Sequence, residues 1–257
     1  MKTIPTFLLA ACFIGSQAKA QQEANPMLAN AQTFIDVPYV AHTLETDGEE
    51  DLVINCDEVD CTTFVEYVLA LSLPSASGNK MSESDFAANL QRIRYREGKI
   101  DGYTSRLHSD WINNGVRGGF MEDVTAANSP YTQKLSLSYM SSHPKLYKHL
   151  SNSPENVTRM AEYEKALSGQ EIHWLPKDKL PANGLPWIKS GDIIVLTTNI
   201  PGLDTAHMGI AIYVKDTLCL LHASSSRGKV LVDKLALSRL LDRNKKWTGI
   251  RVIRMKK

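Results

Sequence analysis

The run His207-Met208-Gly209-Ile210-Ala211-Ile212-Tyr213-Val214-Lys215-Asp216-Thr217-Leu218-Cys219-Leu220-Leu221-His222-Ala223-Ser224 decides the fold. Its first half puts bulky apolar residues at every second position, the period of a β-strand, and a few turn residues separate it from a second apolar run. So short a connection joins antiparallel neighbours. Ile193–Thr197, Val230–Val232 and Ile250–Ile253 are further short strands rich in Val and Ile. Upstream the period changes. Cys61, Phe64, Val65, Val68 and Leu69 fall at i, i+3, i+4, i+7 and i+8, one stripe of a helix, with Glu66 off the stripe, Asp60 as the cap and Pro74 beyond the end. Helices are also predicted from Asn25 to Phe34, from Ser82 to Arg96, and from Ser153 to near Gly169; between 74 and 187 the chain reads as mostly helix and loop. Helices first and antiparallel strands afterwards make an α+β fold.

Within that frame three residues can carry chemistry. Met208, Ile210, Ile212 and Val214 share one face of their strand, while His207 shares the other with Gly209 and Ala211. The small residues beside His207 leave room for a helix to bring a nucleophile close. His222 ends the next strand, fifteen positions on, and a hairpin returns it to the same end of the sheet. Cys219 has the opposite parity and reads as a core thiol. Cys61 sits in the first turn of its helix, where unsatisfied amides and the helix dipole favour a thiolate. A Cys–His nucleophile needs a third polar group to orient the imidazole, and His222 can supply it. Without such partners Cys61 would read as a small buried hydrophobe.

Composition narrows the function. The chain has 257 residues and a formal net charge of +1, with no long basic run, so neither nucleic acid nor an anionic membrane surface is an expected partner. Lys2, the apolar stretch from Ile4 to Gly15 and the small-x-small site at Ala18-Lys19-Ala20 predict a signal peptide over residues 1–20, followed by a single domain over 21–257. Leu9-Ala10-Ala11-Cys12 resembles a lipoprotein box, a second processing route with an anchor at Cys12. No later segment is long enough to span a bilayer, so export to the periplasm or beyond is expected. Cleavage after Ala20 leaves Cys56, Cys61 and Cys219, an odd number in an oxidising compartment. A local Cys56–Cys61 disulfide would make Cys61 structural. His-Glu-x-x-His is absent and neither His207 nor His222 has a second histidine at ligand spacing, so no metal or other cofactor is expected.

Taken in order, Asp60-Cys61-Thr62-Thr63-Phe64-Val65-Glu66, Gly191-Asp192-Ile193-Ile194, His207 to Tyr213 and Leu221-His222-Ala223-Ser224-Ser225 resemble the blocks of the NlpC/P60 cysteine peptidases, papain-like cell-wall enzymes. Pro38-Tyr39-Val40, Ile93 to Gly98, Ser105-Arg106-Leu107-His108, Trp111-Ile112 and Gly202-Leu203-Asp204 look like features of their N-acetylmuramoyl-L-alanine amidase-like branch. The resemblance implies a papain-like fold in which the Cys-bearing helix packs on the C-terminal antiparallel sheet, with a large, mostly helical insertion at about 74–187. It implies Cys61 as nucleophile, His207 as general base and His222 as the orienting residue. Tyr39, near the nucleophile, would help build the substrate and oxyanion site, and Asp60 would be the nucleophile's acidic neighbour in that site. Arg106, His108, Trp111 and Asp204 would join the substrate site, Arg106 offering a cation and Trp111 an indole face for the sugar; the alternative is that Trp111 is core and Arg106 a surface ion. Thr62-Thr63 stands where classical members have Ser-Gly. The expected substrate is peptidoglycan or a muropeptide, cut at the N-acetylmuramoyl–L-alanine amide or, as in compact relatives, at the γ-D-glutamyl–diamino acid bond. A wall-binding module without catalysis is the reading from another class.

Overall fold

Strand β9 (Trp247–Met255) pairs with three other strands of the main sheet. The computed structural model describes residues 25–45, 50–75, 78, 80–100 and 108–256; the leader expected at 1–20 and its Cys12 lie outside them. The remaining strands are β1 (Met121–Asp123), β2 (Thr132–Lys134), β3 (Glu171–His173), β4 (Leu175–Pro176), β5 (Ile193–Thr198), β6 (Thr205–Val214), β7 (Thr217–Ser224) and β8 (Lys229–Val232). The main sheet runs β1-β9-β5-β6-β7-β8, with β4 also on β9, and its pairs are antiparallel; β2 and β3 pair separately. The helices are α1 (Pro26–Thr33), α2 (Cys61–Ser72), α3 (Glu83–Arg94), α4 (His108–Arg117), α5 (Val124–Asn128), α6 (Tyr139–Ser142), α7 (Lys148–Ser151), α8 (Pro154–Leu167) and α9 (Leu237–Arg243). The chain is thus α+β, as the two periodicities require.

The cap read from the sequence at Asp60 forms, and Asn25 caps the first helix. Asn25 accepts from the amides of Met27 and Leu28, with Pro26 at the first helical position. Asp60 accepts from the amides of Thr62 and Thr63 at 3.0 and 2.8 Å, and Thr63 Oγ1 accepts in return from the Asp60 amide, a reciprocal capping box that fixes where α2 begins.

Packing departs from expectation at two places. Helix α2 lies on the bulky face of the hairpin: Met208, Ile210, Ile212, Leu221 and Ala223 share a core with Phe64, Val65, Val68 and Leu69. Ala211, Leu218 and Leu220, on the opposite face, pack with Leu237 and Leu241 of α9. The small-residue face therefore does not receive the Cys-bearing helix, because large apolar side chains remove more area from water when a helix covers them. Gly209 serves the neighbouring strand instead, where a Cβ would lie 2.8 Å from both His222 Cβ and the Leu221 carbonyl oxygen.

Secondly, α2 is buried all round from Thr63 to Ala70 rather than along one stripe. The segment 74–187 covers its other side, with Phe86, Leu90, Ile93, Trp111 and Ile112 joining the same core. Glu66, off the predicted stripe, meets Arg94 of α3 at 2.8 Å, both side chains buried. That segment also supplies β1 and β4 to the main sheet, beyond the helix and loop read there. Strands of two or three residues are too short to display alternation. Among the described residues, no helix is long and apolar enough to cross a membrane.

Candidate functional site

The site gathers where the start of α2 meets the β6–β7 hairpin. Tyr39 is held there by backbone pairing, its amide donating to Gly228 O, with Tyr39 itself bridged to Val59 and the preceding Pro38 to Lys229. Cys61, half-buried, is the first residue of α2. Its sulfur lies 4.0 Å from Thr62 Oγ1, and the backbone of Met208 hydrogen-bonds it in a way that favours the ionised form. The nucleophile candidate and the strand residue following His207 are therefore adjacent. Burial, followed by the charge of Asp60, nevertheless pushes the thiol up to about 12. The thiolate bias expected from the helix terminus is reversed, because loss of water around a buried anion outweighs a helix dipole and a few hydrogen bonds. The Tyr39 hydroxyl is likewise pushed up to about 12, by burial and then by the charges of Cys61 and Asp60, which places the three groups in one cluster.

On the strands, His207 Nε2 lies 2.7 Å from His222 Nδ1, the rings edge to face. The indole of Trp247 stacks on His207 at 5.9 Å between centroids and 10° between planes. The β5–β6 register runs Leu196↔His207 and then Thr197↔Thr205, so Ala206 is an unmatched residue beside His207. Such a bulge bends a strand and re-aims its side chains. His222 is 3% exposed, and its Nε2 lies 3.9 Å from Asp233 Oδ2. Burial lowers the His222 pKa to about 4 against the opposing pull of Asp233, so the ring is neutral at neutral pH. A neutral imidazole carries one donor and one acceptor. With the proton on Nε2, toward the carboxylate, Nδ1 accepts from His207 Nε2–H. That tautomer pairs the two rings, while His222 Nε2 is buried without a hydrogen-bond partner among the described residues and only faces the Asp233 carboxylate.

The other expected substrate residues fare differently. Trp111 is 1% exposed and belongs to the α2 core, so it offers no indole face to a sugar; the apolar face of α4 points inward and carries it there. Asp204 is buried, and its Oδ2 accepts from the Ser109 amide at 2.8 Å, which makes it a cap for the start of α4. Asp60 commits Oδ1 to the cap of α2. Arg106 lies outside the described residues; His108 opens α4, and its side chain lies outside them as well. No disulfide forms among the described residues, and Cys56, Cys61 and Cys219 are all thiols. Cys219 packs in the α2 core, on the face away from Leu220 and Ala211. Among the described residues, no group of three or more His, Cys, Asp or Glu could hold a metal ion.

Sequence reasoning missed Asp233 and Trp247. Asp233 was detectable in principle: β8 pairs Leu231 with His222, and two positions on an acidic residue returns to the same face. Trp247 offered no such signal, since β9 reaches His207 across β5.

A family model described as AmiA-like, N-acetylmuramoyl-L-alanine amidase-like, matches residues 29–250. The chain is similar to an N-acetylmuramoyl-L-alanine amidase of Bacteroides uniformis ATCC 8492 whose crystal structure is known: 65% identity, 91% of this chain and 100% of that one covered, TM-score 0.88. A Bacteroides fragilis protein named as a candidate xylanase is 67% identical, over 89% of this chain and 100% of that one, with a TM-score of 0.86. A Legionella pneumophila protein of the DUF1460 family, 20% identical over 88% and 87% of the two chains, shares the fold at a TM-score of 0.66. No curated protein matches the chain.

Proposed function

The chain belongs to the AmiA-like, N-acetylmuramoyl-L-alanine amidase-like family, and from that membership we propose that it is an exported cysteine amidase of papain-like, NlpC/P60 architecture. Its substrate is a peptidoglycan fragment, and the bond cut is the amide joining N-acetylmuramic acid to the L-alanine of the stem peptide. The observation that carries the reading is the ordered line Asp233–His222–His207 beside a helix-terminal thiol whose sulfur meets the Met208 backbone.

In the mechanism, His207 Nδ1 takes the Cys61 proton as the sulfur attacks the lactyl carbonyl carbon. Nε2–H remains donated to neutral His222 and steadies the imidazolium. The carbonyl oxygen becomes an oxyanion, held by the Cys61 amide, with the Tyr39 hydroxyl near enough to contribute. As the C–N bond breaks, Nδ1–H passes to the departing amine of L-alanine, leaving a thioester. Neutral His207 then removes a proton from water, hydroxide adds to the thioester, and the thiol returns with release of the lactyl carboxylic acid. Since the resting thiol is protonated, attack and proton transfer are coupled, rather than starting from a standing ion pair. The xylanase name of the Bacteroides fragilis relative has no counterpart in this site. Glycosidases place two carboxyl groups about 5–9.5 Å apart across the sugar bond, whereas the carboxylates here are engaged with the protein, Asp60 in the cap of α2 and Asp233 facing His222.

The test is to incubate wild type, Cys61→Ala and His207→Ala with defined muropeptides and with xylo-oligosaccharides, and to identify the products by mass spectrometry. We expect an intact stem beginning at L-alanine, no cleaved xylan, no product with Cys61→Ala, and at least about a 100-fold loss with His207→Ala. A residual L-Ala–D-Glu on the glycan would replace the amidase by the endopeptidase, and turnover surviving in Cys61→Ala would remove the cysteine mechanism.

A further inference from the structure

A groove of about 760 Å³ opens between the β7–β8 turn, the loop after β8 and the loop between α9 and β9. Two of its walls are parts of the site itself: Trp247, whose indole stacks on His207, and Asp233, which faces His222. Leu231 and Leu240 add apolar surface. Around them stand Arg227, Lys234, Arg243 and Lys245, all exposed and none in a salt bridge among the described residues. Lys229, also on the wall, is already paired with Asp36 at 2.6 Å, and Asp233, the acid in the lining, is turned to His222. The groove is thus a cationic rim over a partly apolar floor, joined to the imidazole pair through Trp247 and Asp233.

We infer that this groove is the binding site for the leaving half of the substrate, a short peptide bearing several carboxylates. The inference rests on the amidase reading above. In that reaction the imidazolium hands its proton to the departing amine, so the amine and the peptide attached to it lie on the His207 side of the sulfur. The groove adjoins His207 through the Trp247 indole stacked on its ring. At the N-acetylmuramoyl–L-alanine bond the leaving group is the stem peptide. Its D-glutamate is linked through the γ-carboxyl, which leaves the α-carboxylate unused, and its diamino acid adds others. Four cations with no salt bridge among the described residues complement such a chain, whereas a neutral sugar offers them nothing. Trp247 would then do two things at once, packing against the peptide and bracing the ring that protonates it.

The probe is the tripeptide L-Ala–γ-D-Glu–diaminopimelate, titrated into full-length Cys61→Ala protein and followed by calorimetry. We expect binding that weakens as salt rises from about 20 to about 200 mM, and about a tenfold loss of affinity in Lys234→Gln/Arg243→Gln/Lys245→Gln, from the sum of three modest exposed pairs. The charge-preserving Lys234→Arg/Arg243→Lys/Lys245→Arg should restore affinity, which a merely structural effect would not do. A tripeptide with every carboxyl amidated should bind both proteins weakly and alike. If the neutralised protein binds the acid peptide as tightly as its parent, or the amidated peptide binds as tightly as the acid one, the groove does not read carboxylates and the inference fails. If muropeptides are cleaved at the amide but the tripeptide ignores the three cations, the groove fails alone. If the tripeptide binds as expected while no muropeptide is cleaved, the groove stands and the amidase reading falls.

Discussion

At the scale of single residues, His222 and Cys61 each hold a proton state set by burial. The His222 ring, ordinarily half-charged near pH 6.5, stays neutral down to about 4. A basic group whose folded pKa is depressed contributes stability that is present above its unfolded value and lost as pH falls through the folded one. We expect wild type to lose up to about 3 kcal/mol more than His222→Gln between pH 6.5 and 4, read as the difference between their urea-unfolding free energies. Identical pH slopes would show that His222 titrates normally. For Cys61 the thiol stands near 12 in the resting protein. Alkylation by iodoacetamide, followed at Cys61 by peptide mapping, should therefore be slow at neutral pH and keep climbing above pH 9. A plateau reached by about pH 5 would instead mean a resting thiolate–imidazolium pair.

At the scale of elements, the β6–β7 hairpin sets the geometry of the imidazole pair. Close strand approach at Gly209 leaves no space for a side chain against His222 Cβ and the Leu221 carbonyl. Backbone cannot retreat as a flexible side chain could, so Gly209→Ala should displace His222. We expect at least about a tenfold loss of activity, with far-UV circular dichroism unchanged; full activity would show that the hairpin absorbs the methyl without moving the ring. Strand and helix existence was legible at this scale: β5 to β9 and the α2 cap stand where alternation and Asp60 put them. The face on which α2 packs was not legible. Alternation distinguishes two faces of a strand but does not say which neighbour covers each.

At the scale of the molecule, the segment 74–187 is bound into the same core as α2 rather than appended to it. Arg94 enters beside α2 with its guanidinium 1% exposed, donating to Glu66 at 2.8 Å and to the Val53 carbonyl at 2.6 Å. Removing one partner of a buried pair strands the other's charge and costs about 3–5 kcal/mol. Glu66→Ala should therefore lower the melting temperature sharply, whereas Glu66→Met/Arg94→Met should recover much of the loss. Thermal unfolding of wild type should be one transition, since the segment and the sheet share buried residues; two well-separated transitions would divide the chain into independent units.

What the sequence determined by itself is local. Helix and strand periods, the Asp60 cap, and the residue types that can exchange protons are properties of neighbours in the chain, and Cys61, His207 and His222 follow from them. What only the tertiary structure decided is which distant groups meet. Asp233 beside His222, Trp247 against His207, the burial of Trp111 and the proton on Cys61 depend on elements far apart in sequence. A side chain's pKa and exposure are set by whatever surrounds it in space, and neither period nor spacing carries that information.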